Sequence, residues 1–207
     1  MSGIKLFISK FKEMNKLTVI FAFLCCVVTM YGQKYKPCII ITKQGEQIEC
    51  LADMKDDYLN YKVTPDSKKD KIYSSDVKYA AFIEGDSLEL FSGMPVYKPL
   101  SKETTPTNVG WIQFITDPRT DPVSVYVYYY MFLGNLQKNF GCYRQGDDYG
   151  QDLISSGSIK KNKEAMTKYF ADCPSLVEYI KGKHMLLMTI DDLKNIVQEY
   201  NQCDRKE

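Results

Sequence analysis

The sequence predicts an α+β protein: an antiparallel β-rich body over residues 36–145, either a sheet or a small open barrel, then a C-terminal helical cap over residues 158–203. Three observations predict it. From Cys38 to Tyr143 apolar and polar residues alternate with a period of two, in short runs broken by Gly, Pro, Asn and Asp. After Ser158 the apolar period lengthens to 3.6. Strands come first and helices afterwards, the segregation that separates α+β from alternating α/β chains.

Ahead of the body lies Met14–Gln33, MNKLTVIFAFLCCVVTMYGQ. A basic lead with Lys5, Lys10, Lys12 and Lys16 precedes an uncharged run from Leu17 to Met30, and a small residue, Gly32, closes it. That is the layout of a secretory signal, with residues 1–32 removed by cleavage after Gly32. Met14 is an alternative start. The apolar run is shorter than the roughly 20 residues a membrane span needs, so no stable span is expected after cleavage. Cys25 and Cys26 invite a lipidated-cysteine reading, but Leu24 and Phe23 stand where a small residue is wanted. The expected localisation is export, to the periplasm or the cell surface.

Charge and composition exclude some classes. Removing residues 1–32 takes four Lys and one Glu and leaves 23 basic and 25 acidic residues, a net charge near −2. No basic excess or stripe marks a nucleic-acid partner. Ser67–Lys71 and Lys160–Lys163 are short solvated runs, a loop and the start of a helix. One domain with a real core fits this length.

The elements follow in order. Ile39–Thr42 and Gln47–Cys50 flank Lys43-Gln44-Gly45, a three-residue hairpin loop with Gly at the left-handed position. With Thr42 opposite Glu46, Cys38 falls opposite Cys50, so a Cys38–Cys50 bridge is conceivable, although alternation puts the pair at a hydrogen-bonded site where side chains lie farther apart. Asp56–Val63 continues as a strand, before a polar loop from Pro65 to Lys71. Val77–Ile83 and Ser87–Phe91 form a second hairpin around Glu84-Gly85-Asp86, and Met94–Pro106, with its prolines, is an irregular edge. Trp111–Ile115 is a strand closed by the turn-forming run Asp117–Pro122. Val123–Phe132 is the longest strand: Val123, Val125, Val127 and Tyr129 share one face, and Ser124, Tyr126, Tyr128 and Tyr130 the other. Leu136–Tyr143 follows Gly134-Asn135, and the Gly-rich stretch Gly146–Gly157 leads out of the sheet.

Lys161–Ala171 is expected to be helical with Met166, Tyr169 and Phe170 inward, and Pro174 starts a second helix whose stripe is Leu176, Val177 and Ile180. Thr189 caps a third, with Asp191 and Asp192 in its first turn and Ile190, Leu193, Ile196, Val197 and Tyr200 on one face. Five of seven cysteines follow Gly32: Cys38, Cys50, Cys142, Cys173 and Cys203. In an oxidising compartment these are bridges first, and an odd count leaves one thiol free or open to another chain. An antiparallel helical pair brings Cys173, at one helix entrance, to Cys203, at its neighbour's exit; Cys173–Cys203 is the expected bridge.

The ending Tyr169-Phe170-Ala171-Asp172-Cys173-Pro174-Ser175-Leu176, closing in Tyr200-Asn201-Gln202-Cys203, resembles the C-terminal helices of uncharacterised exported proteins of the Bacteroidetes. The signal ending in Gly32-Gln33 and the first strand pair Ile41-Thr42-Lys43-Gln44-Gly45-Glu46-Gln47-Ile48 are similar to theirs. The resemblance implies export and paired helical cysteines. It implies no activity.

Catalytic material is sparse. The single histidine, His184, cannot build a His-based metal site or triad, and the chain after Gly32 has no close cysteine pair for zinc. Cys142 with His184 as nucleophile and base lacks any supporting motif, and a packed or partner-linked thiol is the plainer reading. Asp147-Asp148 and Asp117/Asp121 lack the ligand pattern of a calcium loop and read as turns. No catalytic residue, metal site or cofactor is therefore assigned. The one sharp feature is the ladder Tyr126, Tyr128 and Tyr130, which suits a wet binding face or cavity mouth, or else covers the sheet beneath the helices. Three functions stay open. The first is a non-enzymatic binding or structural protein with a protein partner or small ligand in the cell envelope. The second is a small β-barrel carrier of an apolar or carbohydrate ligand, and the third a hydrolase with acidic residues on strands. A cavity beside Tyr126 and Tyr128 favours the carrier, a solid core there the first.

Overall fold

A computed structural model describes residues 34–98, 105–154, 158–182 and 189–203. The expected signal, Cys25, Cys26 and His184 lie outside them. The fold is α+β: an open, mostly antiparallel sheet of 11 strands, followed by helices. The strands are β1 (Lys36–Thr42), β2 (Gln47–Met54), β3 (Tyr58–Lys62), β4 (Asp70–Tyr73), β5 (Val77–Glu84) and β6 (Ser87–Ser92). They continue as β7 (Val96–Tyr97), β8 (Ile112–Phe114), β9 (Val123–Phe132), β10 (Asn135–Arg144) and β11 (Gly150–Gln151). Three helices close the order: α1 (Ile159–Tyr169), α2 (Pro174–Gly182) and α3 (Ile190–Asn201). The spatial order is β4-β3-β2-β1-β5-β6-β8-β9-β10-β11-β7, and only β11 and β7 run parallel.

Local chemistry sets the register. Thr42 N–H donates to Glu46 O at 2.9 Å, and Gly45 sits at φ 88°, as a three-residue hairpin loop requires. Cys38 then pairs with Cys50. Two strands were concealed within expected loops. Asp70 and Lys71 belong to β4, whose other residues follow them, and Gly150–Gln151 forms β11 inside the Gly-rich stretch. Both are edge or near-edge pieces too short to show a period.

The sheet rolls. Tyr79 on β5 and Tyr143 on β10 both pack against the Phe114 ring, although three strands separate β5 from β10 in the sheet. The Phe114 ring fills the space between, 6.2 Å from Tyr79 and 5.7 Å from Tyr143. The inner face collects Ile39, Ala81, Leu90, Met94, Val96, Ile112, Tyr126 and Tyr128 into one core. On the opposite face of β1 and β5 a second core holds Cys38, Ile40, Cys50, Ala52, Leu59, Ala80 and Phe82. The third lies under the helices, where Val123, Val125 and Cys142 meet Met166, Phe170, Leu176, Ile180, Leu193, Ile196 and Tyr200. The period of two along β1 and β9 is thus fully used, with a buried layer on either side.

Thr189 accepts from Asp192 N–H while the Asp192 carboxylate accepts from Thr189 N–H, a capping box that starts α3. At the far end of α3, the Asn201 amide accepts from Val123 N–H at 3.0 Å and donates to Val123 O at 2.9 Å, docking the helix onto the start of β9. The expected bridge forms between Cys173 and Cys203, with Cα atoms 6.2 Å apart and a sequence separation of 30. Closing a loop of that length contributes about 3–4 kcal/mol in the chain-entropy account. Reduction, or Cys173→Ser with Cys203→Ser, is therefore expected to lower unfolding free energy by about that amount. Urea unfolding with and without reductant checks it: the wild type should shift and the double variant should not.

Candidate functional site

The tyrosine ladder is divided by depth. Tyr126 and Tyr128 are buried, whereas Tyr130 is 40% exposed. The rings step along β9 with centroids 6.3 Å apart between Tyr126 and Tyr128 and 5.9 Å between Tyr128 and Tyr130. The helices cover the valine face of the strand, not the tyrosine face, so the expectation that the ladder lies beneath them is corrected. The inward tyrosines cover the interior of the rolled sheet. Tyr126 lies flat on the backbone of β10 and β11: a Cβ at Gly141 would come within 2.6 Å of its hydroxyl. A Cβ at Gly150 would stand 2.5 Å from a ring carbon. Glycine at both positions lets the ring seal the strand seam. Both side chains are buried, Tyr126 fully and Tyr128 to within 1%.

The Tyr128 hydroxyl donates to Asp152 Oδ2 at 3.0 Å, and Asn139 Nδ2 donates to the Tyr128 hydroxyl at 2.9 Å and also to Asp152. Asp152 is buried. Burial pushes its carboxyl up to about 6 against the hydrogen bonds from Tyr128 and Asn139, which favour the charge. A carboxyl whose folded pKa is raised holds its proton longer in the folded chain. The folded state therefore loses stability as pH climbs from about 4 to 6 and is level above that. Asp152→Asn keeps the acceptor and removes the charge. It is expected to gain about 2–3 kcal/mol over the wild type at pH 7.5 and almost nothing at pH 4, in denaturant titrations at the two pH values.

Arg144, at the end of β10, donates to Asp172 at 2.9 Å, to the Tyr169 carbonyl at 2.7 Å and to the Tyr200 hydroxyl. Its guanidinium lies 5.1 Å and 5.2 Å from the Tyr169 and Tyr200 ring centres. Burial pulls against the Asp172 charge, but hydrogen bonds from Arg144 and Tyr200 outweigh it and hold the carboxyl below the usual range. Beside this knot is a cleft of about 600 Å³ between α1 and the β10–β11–β7 edge, lined by Tyr97, Gln151, Lys161, Glu164 and Lys168 among others. Tyr169 forms part of its wall, and the Tyr169 hydroxyl is buried without a hydrogen-bond partner. Sequence reasoning missed this cleft, because its parts come from β7, β10, β11 and α1.

The cysteines are packed. Cys142 is fully buried under the helices and burial pushes its thiol up, so it presents no surface for a second chain. Cys38 and Cys50 face each other as free buried thiols rather than as a bridge. Their register position is a hydrogen-bonded one, where side chains lie farther apart than at the alternate pairs. The contact with Cys50, aided by burial, pushes the Cys38 thiol up. Among the described residues no group of three or more His, Cys, Asp or Glu is placed to hold a metal.

The exposed half of the ladder leads to a different feature. β8 pairs with β9 only from Tyr126 to Tyr128, so among the described residues the β9–β10 hairpin continues beyond Tyr128 as a two-stranded ribbon. Tyr129 is 48% exposed, Leu136 65% and Leu133 85%. Phe132 pairs with Asn135, leaving Leu133-Gly134 as a two-residue turn with φ of 49° and 79°. Both residues are left-handed, the geometry that Asn-Gly normally serves. A leucine there is strained. Leu133→Asn should raise stability by about 0.5–1 kcal/mol, read as a shift in the urea midpoint at unchanged slope.

No known protein family, curated protein or solved structure matches this chain.

Proposed function

We propose that the chain is an exported, non-enzymatic binding protein of the cell envelope, in the periplasm or at the cell surface. Its contact element is the β9–β10 ribbon. One observation carries the reading. The ladder's inner part, Tyr126 and Tyr128, is buried in the core, while Tyr129, Tyr130, Leu133 and Leu136 are exposed on strands that reach past the sheet. An interior carrier site would need space where those two rings are packed. Exposed apolar residues grouped on one projecting element mark a contact surface. Export is supported by the layout of Met14–Gln33 and is compatible with the Cys173–Cys203 bridge. No helix of the described residues is long and apolar enough to cross a membrane.

A second reading, a small anionic ligand, is favoured by the cleft at α1, where Lys161 and Lys168 outnumber Glu164 and the Tyr169 hydroxyl has no partner. Native, non-reducing mass spectrometry of protein taken from its own cell envelope separates the two. A chain trimmed after Gly32, with Cys173 and Cys203 protected and no small bound mass, is expected. A retained bound mass lost in Lys161→Glu/Lys168→Glu would favour the cleft, and an untrimmed chain with free thiols would overturn export.

A further inference from the structure

We infer that the β9–β10 ribbon meets an anionic lipid surface tip first, with Leu133 entering the headgroup–acyl boundary and Tyr129, Tyr130 and Lys138 at headgroup level. The inference rests on the reading of the ribbon as the contact element. Four observations carry it.

The first is the tip. Leu133 is the most exposed of the large apolar side chains described and occupies a left-handed position that a leucine fills at a cost. A ribbon that pairs sideways with another strand has no need of a leucine at its apex. One that enters an apolar medium end-on does.

The second is the order of residues along the ribbon. Four residues separate Leu133 from Tyr129, about 13 Å at the usual strand rise. Leu136 stands between them, and Lys138 pairs with Tyr129 across the strands. The Lys98 ammonium lies 6.0 Å from the Tyr130 ring centre. From tip to root the ribbon is therefore aliphatic first, then a band where tyrosine rings and lysine lie at the same level. That is the layering of a membrane interface, where tyrosine rings sit at headgroup depth and lysine stems reach outward.

Charge is the third. Residues 123–144 contain no Asp or Glu, in a chain that has 26. The carboxylate at the ribbon's root, Asp152, is buried against Tyr128 and Asn139. Anionic lipid thus meets the exposed Lys138 and no carboxylate on either strand, while Lys98 beside the ribbon faces Asp152.

The fourth sets the depth. The hairpin pairs its own backbone down to Phe132 and Asn135, but the outer edges of both strands lack a neighbour beyond Tyr128 among the described residues. Those N–H and C=O groups need water, so the contact is interfacial and does not span.

The test is co-sedimentation of the full chain with vesicles of three parts phosphatidylcholine to one part phosphatidylglycerol, and with phosphatidylcholine alone. Variants share one N terminus, so the apolar run Leu17–Met30 contributes equally to each. Leu133→Asp with Leu136→Asp is expected to lower partitioning at least tenfold. Lys138→Glu should lower it several-fold on the anionic vesicles alone. Leu133→Asn relieves the turn, so it should bind several-fold less while remaining folded, which separates binding from stability. In Leu133→Trp the added indole emission should shift to the blue on vesicles and be quenched more by shallow than by deep spin-labelled lipid. An indole that stays water-like, or partitioning that ignores Leu133 and Leu136, overturns the lipid assignment. Should the same variants instead split an oligomer or release a protein partner in sedimentation velocity, the ribbon remains the contact element and only its lipid occupant is wrong. If they change neither, both readings fall.

Discussion

The joint between sheet and helices depends on one guanidinium. Arg144 ends β10 and reaches across to two helices, donating to Asp172, the Tyr169 carbonyl and the Tyr200 hydroxyl while lying between two aromatic rings. Its planar fork satisfies the Tyr169 carbonyl at the end of α1, one of those without a partner within the helix. The Tyr200 hydroxyl in turn donates to Asp172, closing the knot. Asp172 is followed directly by Cys173, so the residue that Arg144 fixes is the neighbour of the bridged cysteine. Asn201 at the end of α3 holds the first residue of β9. The helical cap is thus tied to the two long central strands, and a lysine at 144 would lose the simultaneous contacts.

Those two strands also organise the interior. β9 sends valines to the helices and tyrosines into the roll, and β10 answers with Cys142 on one side and Gly141 and Tyr143 on the other. Where Tyr126 crosses the seam, glycine on both neighbouring strands replaces side-chain packing with ring-on-backbone contact. The same two strands then outrun the sheet. A single hairpin therefore supplies the middle of two cores at one end and the exposed apolar ribbon at the other.

Much of this was legible in the sequence because it is local and periodic. The first hairpin's register follows from one glycine after two residues, and the third helix announces itself by Thr189 and Asp192. The Cys173–Cys203 pair follows from helix ends alone. What was not legible is long-range. The alternation of β9 gives two faces but not which face the helices take, and it cannot show that the ladder is buried at Tyr128 and open at Tyr129. That boundary is set by where β8 stops, a fact about another strand. β11 is a two-residue piece whose partner, β7, lies more than 50 residues earlier. The Asp152 network and the α1 cleft depend on that pairing, so no window of sequence displays them.

The placement of the thiols has a consequence for biogenesis. Cys173 is buried in the helical core and bridged to the half-buried Cys203, and Ser175 lies within reach of both sulfurs. Cys38, Cys50 and Cys142 lie inside cores built by strand pairing and helix docking. In an oxidising compartment all five are equally reactive in the unfolded chain, and most pairings are wrong. Holding those three in strand-built cores leaves Cys173 and Cys203, brought together at neighbouring helix ends, as partners for each other. Correct oxidation of this chain therefore follows from packing rather than guiding it, and a defect that delays sheet closure would surface first as scrambled disulfides.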